Sequence, residues 1–421
     1  MSRQQKVVVV GMGYVGLPLA VRAVEADFDV VGLDVAASRV DQLLAGGSYV
    51  EDISAATIRR CLGTGRFLPT RSPTDCHGFD IAVITVPTPL TEGSPDLSFI
   101  EAAAGTLAEH LRPAALVVLE STSYPGTTEE VVGPILQEGS GLRAGTDFFL
   151  GYSPERIDPG NPSWRLENTP KIISGVDHES LEQVRQFYDR IVFRTVAAPS
   201  PREAELAKLL ENTFRHVNIA LVNEMAVFAA ELGIDIWSAI DAAATKPFGF
   251  MPFTPGPGVG GHCLPIDPSY LSWRVRRTLG ESFRFIDLAN DVNDHMPEHV
   301  VQRVLLGLNR RHRAVSDARV LVLGLAYKRN TGDARQAPGA TIVQRLIDLG
   351  AEVRACDPLV TEQHLPATVA RVELTEEELR AADAVVLVTD HDCFDYELVT
   401  THAQYVFDTR HRLKGDRVES L

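Results

Sequence analysis

Cys263 stands in the stretch Pro255-Gly256-Pro257-Gly258-Val259-Gly260-Gly261-His262-Cys263-Leu264-Pro265-Ile266-Asp267-Pro268, where glycines and prolines exclude both helix and strand. A thiol on such a shaped loop can add to an aldehyde to give a thiohemiacetal, which loses hydride to a nicotinamide and becomes a thioester that water hydrolyses. One nucleophile thus permits two successive oxidations. The same chemistry needs a proton acceptor, a stabiliser for negative oxygen and an activator of water. Lys208 and Asn212 lie four residues apart in a segment of helical periodicity, so they share a face and can offer an ammonium and an amide to one oxygen. Asp267, four residues beyond the thiol, can orient a water or Lys208.

These groups need a cofactor and a scaffold. Val7 to Val10 is an apolar run without alternation, as expected of a central parallel strand buried on both faces. It runs into Gly11-Met12-Gly13-Tyr14-Val15-Gly16, then a helix to about Ala26 and a second strand, Asp29 to Leu33, closed by Asp34. In that context the spacing is a dinucleotide fingerprint. Gly11 permits the turn, Gly13 admits a pyrophosphate, Gly16 lets the helix pack, and the helix N-terminus at Tyr14 and Val15 faces the phosphates. Asp34 would accept hydrogen bonds from the adenosine ribose and oppose a 2′-phosphate, which favours NAD over NADP; Arg39, close by, softens that preference.

Further strands are expected at Ile81 to Val86, Ala115 to Leu119 and Phe148 to Gly151, with helices around 98–111 and 126–138. Residues 201–245 read as a long helix and a second one after Gly233. A new α/β pattern starts at Ala318 to Gly324, with strands at Glu352 to Cys356, Ala384 to Val388 and Gln404 to Phe407. The expected architecture is α/β, two Rossmann-like doubly wound domains (1–198 and 301–421) joined by a central helical domain (199–300). Long apolar-faced helices between two sheet domains suggest a homodimer or higher homo-oligomer.

With 421 residues, 40 basic and 56 acidic, the chain carries a net charge of -16, which repels a phosphate polymer, so no nucleic-acid partner is expected. Five cysteines without close spacing speak against a disulfide framework and a zinc site, and no metal is expected. The same cysteines are read as those of a reducing cytoplasm, and the absence of a signal-like start or a long apolar run points to a soluble protein without a membrane partner.

The chain resembles the UDP-glucose/GDP-mannose dehydrogenase family along nearly its whole length. The resemblance rests on Gly11 to Pro18, Val86-Pro87-Thr88-Pro89, Ser121-Thr122, Ser153-Pro154-Glu155-Arg156, Ala207 to Asn212, Gly260 to Asp267 and Gly324-Leu325-Ala326-Tyr327-Lys328. It implies oxidation of a nucleotide sugar's C6 hydroxyl to a uronic acid with two NAD. Cys263 then matches the nucleophile, Lys208 the electrostatic stabiliser and proton acceptor, and Asn212 the oxyanion partner. Asp267 and Thr122 match the pair that positions water, and Glu155 a carboxylate for thioester hydrolysis. Pro87, Thr88, Ser121 and Thr122 fall with the cofactor set. Glu155, Arg156, Lys208, Asn212, Gly260, Lys328, Arg335 and Arg410 fall with the substrate set, and Asp333 completes the segment from Lys328 to Arg335.

The second sheet lacks two of the three glycines, so the resemblance implies that it holds the UDP moiety of a UDP-sugar. The segment Phe149 to Asn161, leading to Asn168 to Gly175, looks like the branch acting on UDP-N-acetylhexosamines, where UDP-glucose enzymes commonly show an Asn-Pro-Glu-Phe-Leu-like stretch. Arg156 can donate to an acetamido carbonyl, or simply pair with a carboxylate such as Asp158. UDP-N-acetylglucosamine is the first expectation, ahead of UDP-N-acetylmannosamine, UDP-glucose and GDP-mannose.

Overall fold

The computed structural model describes residues 4–50, 52–91, 93–158, 161, 163–261, 264–360 and 369–421. The chain divides into two compact units, Met1–Glu211 and Asn212–Leu421.

The first unit is built on an eight-stranded sheet. Its strands run, in spatial order, Thr195–Ala197, Lys171–Gly175, Phe149–Tyr152, Leu116–Leu119, Ile81–Ile84, Lys6–Val10, Asp29–Leu33 and Phe67–Thr70. All neighbours are parallel except Phe149–Tyr152 with Lys171–Gly175, which are antiparallel. Val7 and Val9 enter one hydrophobic core while Val8 and Val10 enter the core on the opposite face. That two-sided burial is why the run shows no polar alternation; each fully buried valine is worth ~1.5–3 kcal/mol.

The second unit carries a six-stranded parallel sheet in the order Ala370–Arg371, Glu352–Cys356, Arg319–Leu323, Ala384–Leu387, Val406–Asp408 and Val418–Ser420. Numbered by first appearance this is 3-2-1-4-5-6, the order of dinucleotide-binding sheets, and the first sheet follows it with two strands added at one edge. Val320 and Val322 face one core, Leu321 and Leu323 the other. The expected α/β class with two Rossmann-like sheets and a helical middle is therefore present.

The helix Pro201–Leu232 is continuous. It stops where Gly233 takes φ +68° and the N–H of Ile234 returns to the Ala229 carbonyl at 2.8 Å. Asp235 then caps the next helix, Ile236–Ala244, through the N–H groups of Trp237 and Ser238. Two further helices, Asp267–Leu279 and Arg284–Arg310, complete the middle section. Where one helix was expected over 126–138, a π-helical turn, Thr128–Val132, precedes the α-helix Gly133–Ser140. The buried carboxylate of Glu205 accepts from the N–H groups of Gly126 and Thr128 at that turn. No described helix is long and apolar enough to cross a membrane.

Candidate active site

In the first unit Gly11 has φ +95° and its N–H donates to the Leu33 carbonyl at 2.8 Å. A Cβ at Gly16 would collide with the Gly11 carbonyl oxygen, whereas one at Gly13 would find nothing within 4 Å. Gly11 therefore makes the turn, Gly16 permits the close packing, and Gly13 keeps the approach to the backbone open. The helix that follows, Gly16–Glu25, has no side-chain cap, which suits an anion bound at its N-terminus. Tyr14 is exposed and Val15 half-buried beside it.

Asp34 is buried; its Oδ2 accepts from the Met12 N–H and its Oδ1 from the Ala36 N–H, both at 2.8 Å. With one backbone donor on each oxygen, the carboxylate keeps accepting capacity for a ribose diol. Arg39 lies 3.3 Å from the same carboxylate. The Ser121 hydroxyl donates to the Val86 carbonyl at 2.7 Å, tying the loop of Thr122 to that of exposed Pro87 and buried Thr88. The two loops leave the carboxyl ends of Ile81–Ile84, the neighbour of Lys6–Val10, and of Leu116–Leu119, the strand after it, at the edge where dinucleotides bind in such sheets. The residues fit a dinucleotide.

Further along that edge, Glu155 accepts from the N–H groups of Arg156 and Ile157 at 2.6 Å each, and its Oε2 lies 3.1 Å from Lys171 Nζ. Lys171 also reaches Glu120 Oε1 at 2.9 Å, which in turn accepts from the Tyr188 hydroxyl at 2.5 Å. Burial works against a charged Glu155, but the Lys171 ammonium, the Ile157 N–H and Lys208 outweigh it and hold its carboxyl below the usual range. For Glu120 burial wins, with Glu155 adding to it, and the carboxyl is pushed up. Burial also opposes the charge on Lys171, yet its two carboxylate partners raise its pKa. Arg156 makes a two-pronged pair with Glu211, at 3.2 and 2.6 Å, and donates to the Pro170 carbonyl at 2.7 Å. Sequence reasoning gave Glu120 and Tyr188 no part, and Lys171 entered it only within the stretch Asn168 to Gly175, with no role of its own. The available signal was a lone charge at the end of one apolar strand and at the start of another.

In the second unit Asn212 donates its amide to Asp267 Oδ2 at 2.6 Å, and both are buried. Asp267 is the first residue of its helix, so its carboxylate orients the amide. The loop before Cys263 is braced on both sides. The Gly256 N–H donates to Asn223 Oδ1 at 2.9 Å, Asn223 Nδ2 donates to Asn293 Oδ1 at 2.9 Å, and His216 bonds Asn290 at 2.7 Å in the same buried cluster. On the other side the Gly261 N–H meets the Arg335 carbonyl at 3.0 Å, and a Cβ at Gly260 would come within 2.9 Å of Tyr327 Cβ. Gly261 has φ +85°, with the Tyr327 ring over it. The glycines are thus required by close approach to the turn after Arg319–Leu323. His262 and Cys263 lie outside the described residues. Burial pushes the Cys61 thiol up, and the thiols of Cys76 and Cys356 up to about 11.

The second sheet repeats the first turn with a different outcome. Gly324 has φ +83° and its N–H meets the Cys356 carbonyl at 2.9 Å, as Gly11 does with Leu33. Asp357 stands where Asp34 does, but its Oδ2 takes the N–H groups of Leu325 and Ala326 and lies 3.1 Å from His391 Nε2, and its Oδ1 takes those of Leu359 and Val360. Every accepting direction is used inside the protein. Burial disfavours its charge, yet His391 and those N–H groups hold its pKa down at about 2. Half-buried Lys328, exposed Arg335, paired to Asp333 at 2.6 Å, and Arg410, donating to the Val388 carbonyl at 2.8 Å, sit past the carboxyl ends of this sheet.

Three models of the UDP-glucose/GDP-mannose dehydrogenase family match in chain order: the NAD binding domain over residues 5–192, the central domain over 202–295 and the UDP binding domain over 321–415. A UDP-N-acetyl-D-mannosamine dehydrogenase of Pyrococcus horikoshii is 36% identical over 390 residues, 92% of this chain and 90% of that protein. A UDP-N-acetyl-D-glucosamine 6-dehydrogenase of Pseudomonas aeruginosa is 37% identical over 391 residues, 92% of this chain and 91% of that protein. The solved structure of a UDP-D-ManNAc dehydrogenase from Pyrococcus horikoshii has a TM-score of 0.90 at 34% identity and covers 99% of both chains.

Two outcomes follow from the turns. Gly13→Ala is expected to leave the melting temperature of the apo protein within about 1 °C of the parent while weakening NAD binding at least tenfold, because its Cβ meets only the incoming phosphate. Gly16→Ala should lose both, with overpacking costing ~1–3 kcal/mol of stability; calorimetric melting and NAD titration check the pair. For Asp357 the folded pKa of about 2 against the ordinary carboxylate value of 3.8 corresponds to roughly 2–3 kcal/mol. Because the folded value is depressed, that stability is present above about pH 4 and lost as pH falls through about 2. Asp357→Asn should therefore destabilise the protein to urea at pH 7 by roughly that amount, with the difference from the parent shrinking toward pH 2.

Proposed function

The chain belongs to the UDP-glucose/GDP-mannose dehydrogenase family and uses NAD, and on that premise we propose that it oxidises the C6 hydroxyl of a UDP-N-acetylhexosamine to the uronic acid. The observation that carries the choice of sugar class is the pair of relatives at 36% and 37% identity, both named for UDP-N-acetylhexosamines. UDP-N-acetylglucosamine is the first substrate. UDP-N-acetylmannosamine is the second reading, favoured by the Pyrococcus horikoshii protein, and UDP-glucose and GDP-mannose follow.

NAD, when bound, supplies the hydride acceptor for both oxidations. The sulfur of Cys263 bonds to the aldehyde carbon, and the second oxidation leaves that carbon as a thioester, which water hydrolyses with return of the thiol. Per sugar, one water is consumed and two NADH and three protons are formed. Lys208 and the Asn212 amide carry the negative charge that develops on the C6 oxygen. Asp267, bonded to Asn212 at 2.6 Å, fixes that amide, and with Thr122 it positions the water. Glu155 takes the water's proton, and Arg156, held by Glu211, gives the sugar pocket a fixed donor. Lys328, Arg335, Arg410 and Gly260 hold the nucleotide end of the substrate.

The long helix supports a homodimer. Leu210, Phe214, Leu221, Met225, Phe228 and Leu232 form one stripe along it, all exposed in the single chain, and a stripe of that length calls for an apolar partner. A thiol enzyme drawing on nucleotide sugars and NAD belongs in the cytoplasm.

A spectrophotometric assay over UDP- and GDP-sugars is expected to give two NADH per sugar and the highest rate with UDP-N-acetylglucosamine, at least tenfold above UDP-glucose. Cys263→Ser should release at most one NADH per sugar; a full two-NADH yield from that variant contradicts the covalent route. Leu221→Asp with Met225→Asp should take the sedimenting mass from twice 45.9 kDa to 45.9 kDa.

A further inference from the structure

A buried row of charges runs through the first unit, and the proposed chemistry uses only one end of it. In order it is the Tyr188 hydroxyl, Glu120, Lys171 and Glu155, linked at 2.5, 2.9 and 3.1 Å. The side chains of Lys171 and Glu120 are 3% and 0% exposed, while that of Glu155 is 14% exposed. The row has one open end, and Glu155 occupies it.

The sheet explains how these residues meet. Glu120 follows Leu116–Leu119, and Glu155 lies three residues past Phe149–Tyr152, the next strand in parallel. The strand Lys171–Gly175 runs the opposite way, with Tyr152 opposite Ser174. Continuing that register outward sets Glu155 opposite Lys171. The one antiparallel step in the sheet therefore delivers an ammonium to the edge where the carboxylates emerge. An apolar residue at 171 would serve packing as well or better, since buried ion pairs are poor sources of net stability. A charged row kept at this edge calls for a functional reason.

We propose that Lys171 is a positioning residue for the hydrolytic half of the reaction, clamping Glu155 from behind so that its exposed edge faces the attacking water, with Glu120 as the counter-charge that anchors Lys171. The proposal rests on Glu155 acting in thioester hydrolysis. In that step the water oxygen bonds to the thioester carbon, a water proton passes to Glu155, the carbon–sulfur bond breaks, and the electron pair leaves with the Cys263 sulfur. Nothing is oxidised or reduced.

The clamp fixes both geometry and charge. Glu155 Oε1 is held by the N–H groups of Arg156 and Ile157, and Oε2 by Lys171. The charged groups that bear on it are Lys171 and Glu120 from the neighbouring strands and Lys208 from the long helix, with Tyr188 beyond Glu120; the Arg156 guanidinium is turned to Glu211. Burial opposes a charged Glu155, and Lys171 is foremost among the groups that overcome it. Without the ammonium, Glu155 takes up its proton at higher pH.

The test is a single-turnover series from pH 5 to 9 with NAD and UDP-N-acetylglucosamine, following NADH by absorbance and the acylated protein by intact mass. In Lys171→Met the acyl-enzyme should accumulate, and the acid limb of its hydrolysis should move up by at least one pH unit. The first NADH should form within threefold of the parent rate, and Lys171→Arg should restore the limb. Should Lys171→Met fail to fold, Lys171→Met with Glu120→Leu removes the ammonium and one carboxylate together and is expected to show the same shift. A parent-like limb in the folded variant, or an equal slowing of both half-reactions with no pH shift, overturns the clamp. Glu155→Gln separates the premise: if it hydrolyses the acyl-enzyme at the parent rate, the assignment of Glu155 itself fails and the clamp with it.

Discussion

A parallel strand buried on both faces can carry no polar side chain along its length, because a buried polar group without a partner costs more than the strand gains. That constraint governs the central strands of both sheets. Val7 to Val10, Ile81 to Ile84, Leu116 to Leu119 and Ala384 to Leu387 are all buried. Polar groups are driven to the strand ends, and the ends are where Asp34, Glu120, Glu155, Asp357 and Arg410 stand. In each sheet the strand ends are the places that a two-sided hydrophobic core leaves to polar side chains.

Within that rule the two turns diverge by the bonding of one carboxylate. Asp34 meets one backbone N–H on each oxygen, while Asp357 is consumed by the N–H groups of Leu325, Ala326, Leu359 and Val360 and by His391. The glycine geometry at Gly11 and Gly324 is otherwise alike, down to the carbonyl that each N–H meets. A carboxylate with spare acceptors suits a ribose diol; a saturated one locks its own loop. The difference agrees with the family models, an NAD binding domain over residues 5–192 and a UDP binding domain over 321–415.

Much of this was legible in the sequence, for local reasons. The apolar runs, the Gly11 to Gly16 spacing and Asp34 closing the next strand are short-range signals, and the long helix announces itself through Leu209, Phe214, Val217 and Leu221. The pairing of Asn212 with Asp267 was not legible, because the two meet only through tertiary packing. Lys171 was hidden for a stronger reason. Its role depends on the antiparallel register of its strand against Phe149–Tyr152, and no local pattern encodes strand direction. The saturation of Asp357 was equally invisible, since Asp34 and Asp357 look alike as strand-closing acids until the loop after each is folded. The family resemblance supplied roles for Lys208, Glu155 and Thr122 that residue types alone left open.

Two turns of one shape are made unequal by the bonding of Asp34 and Asp357. Titration calorimetry of the full chain with NAD and with UDP, separately and in sequence, tests it most directly. One NAD and one UDP per chain, each bound with the other already present, is the expected result. Two NAD per chain, or UDP displaced by NAD, contradicts it.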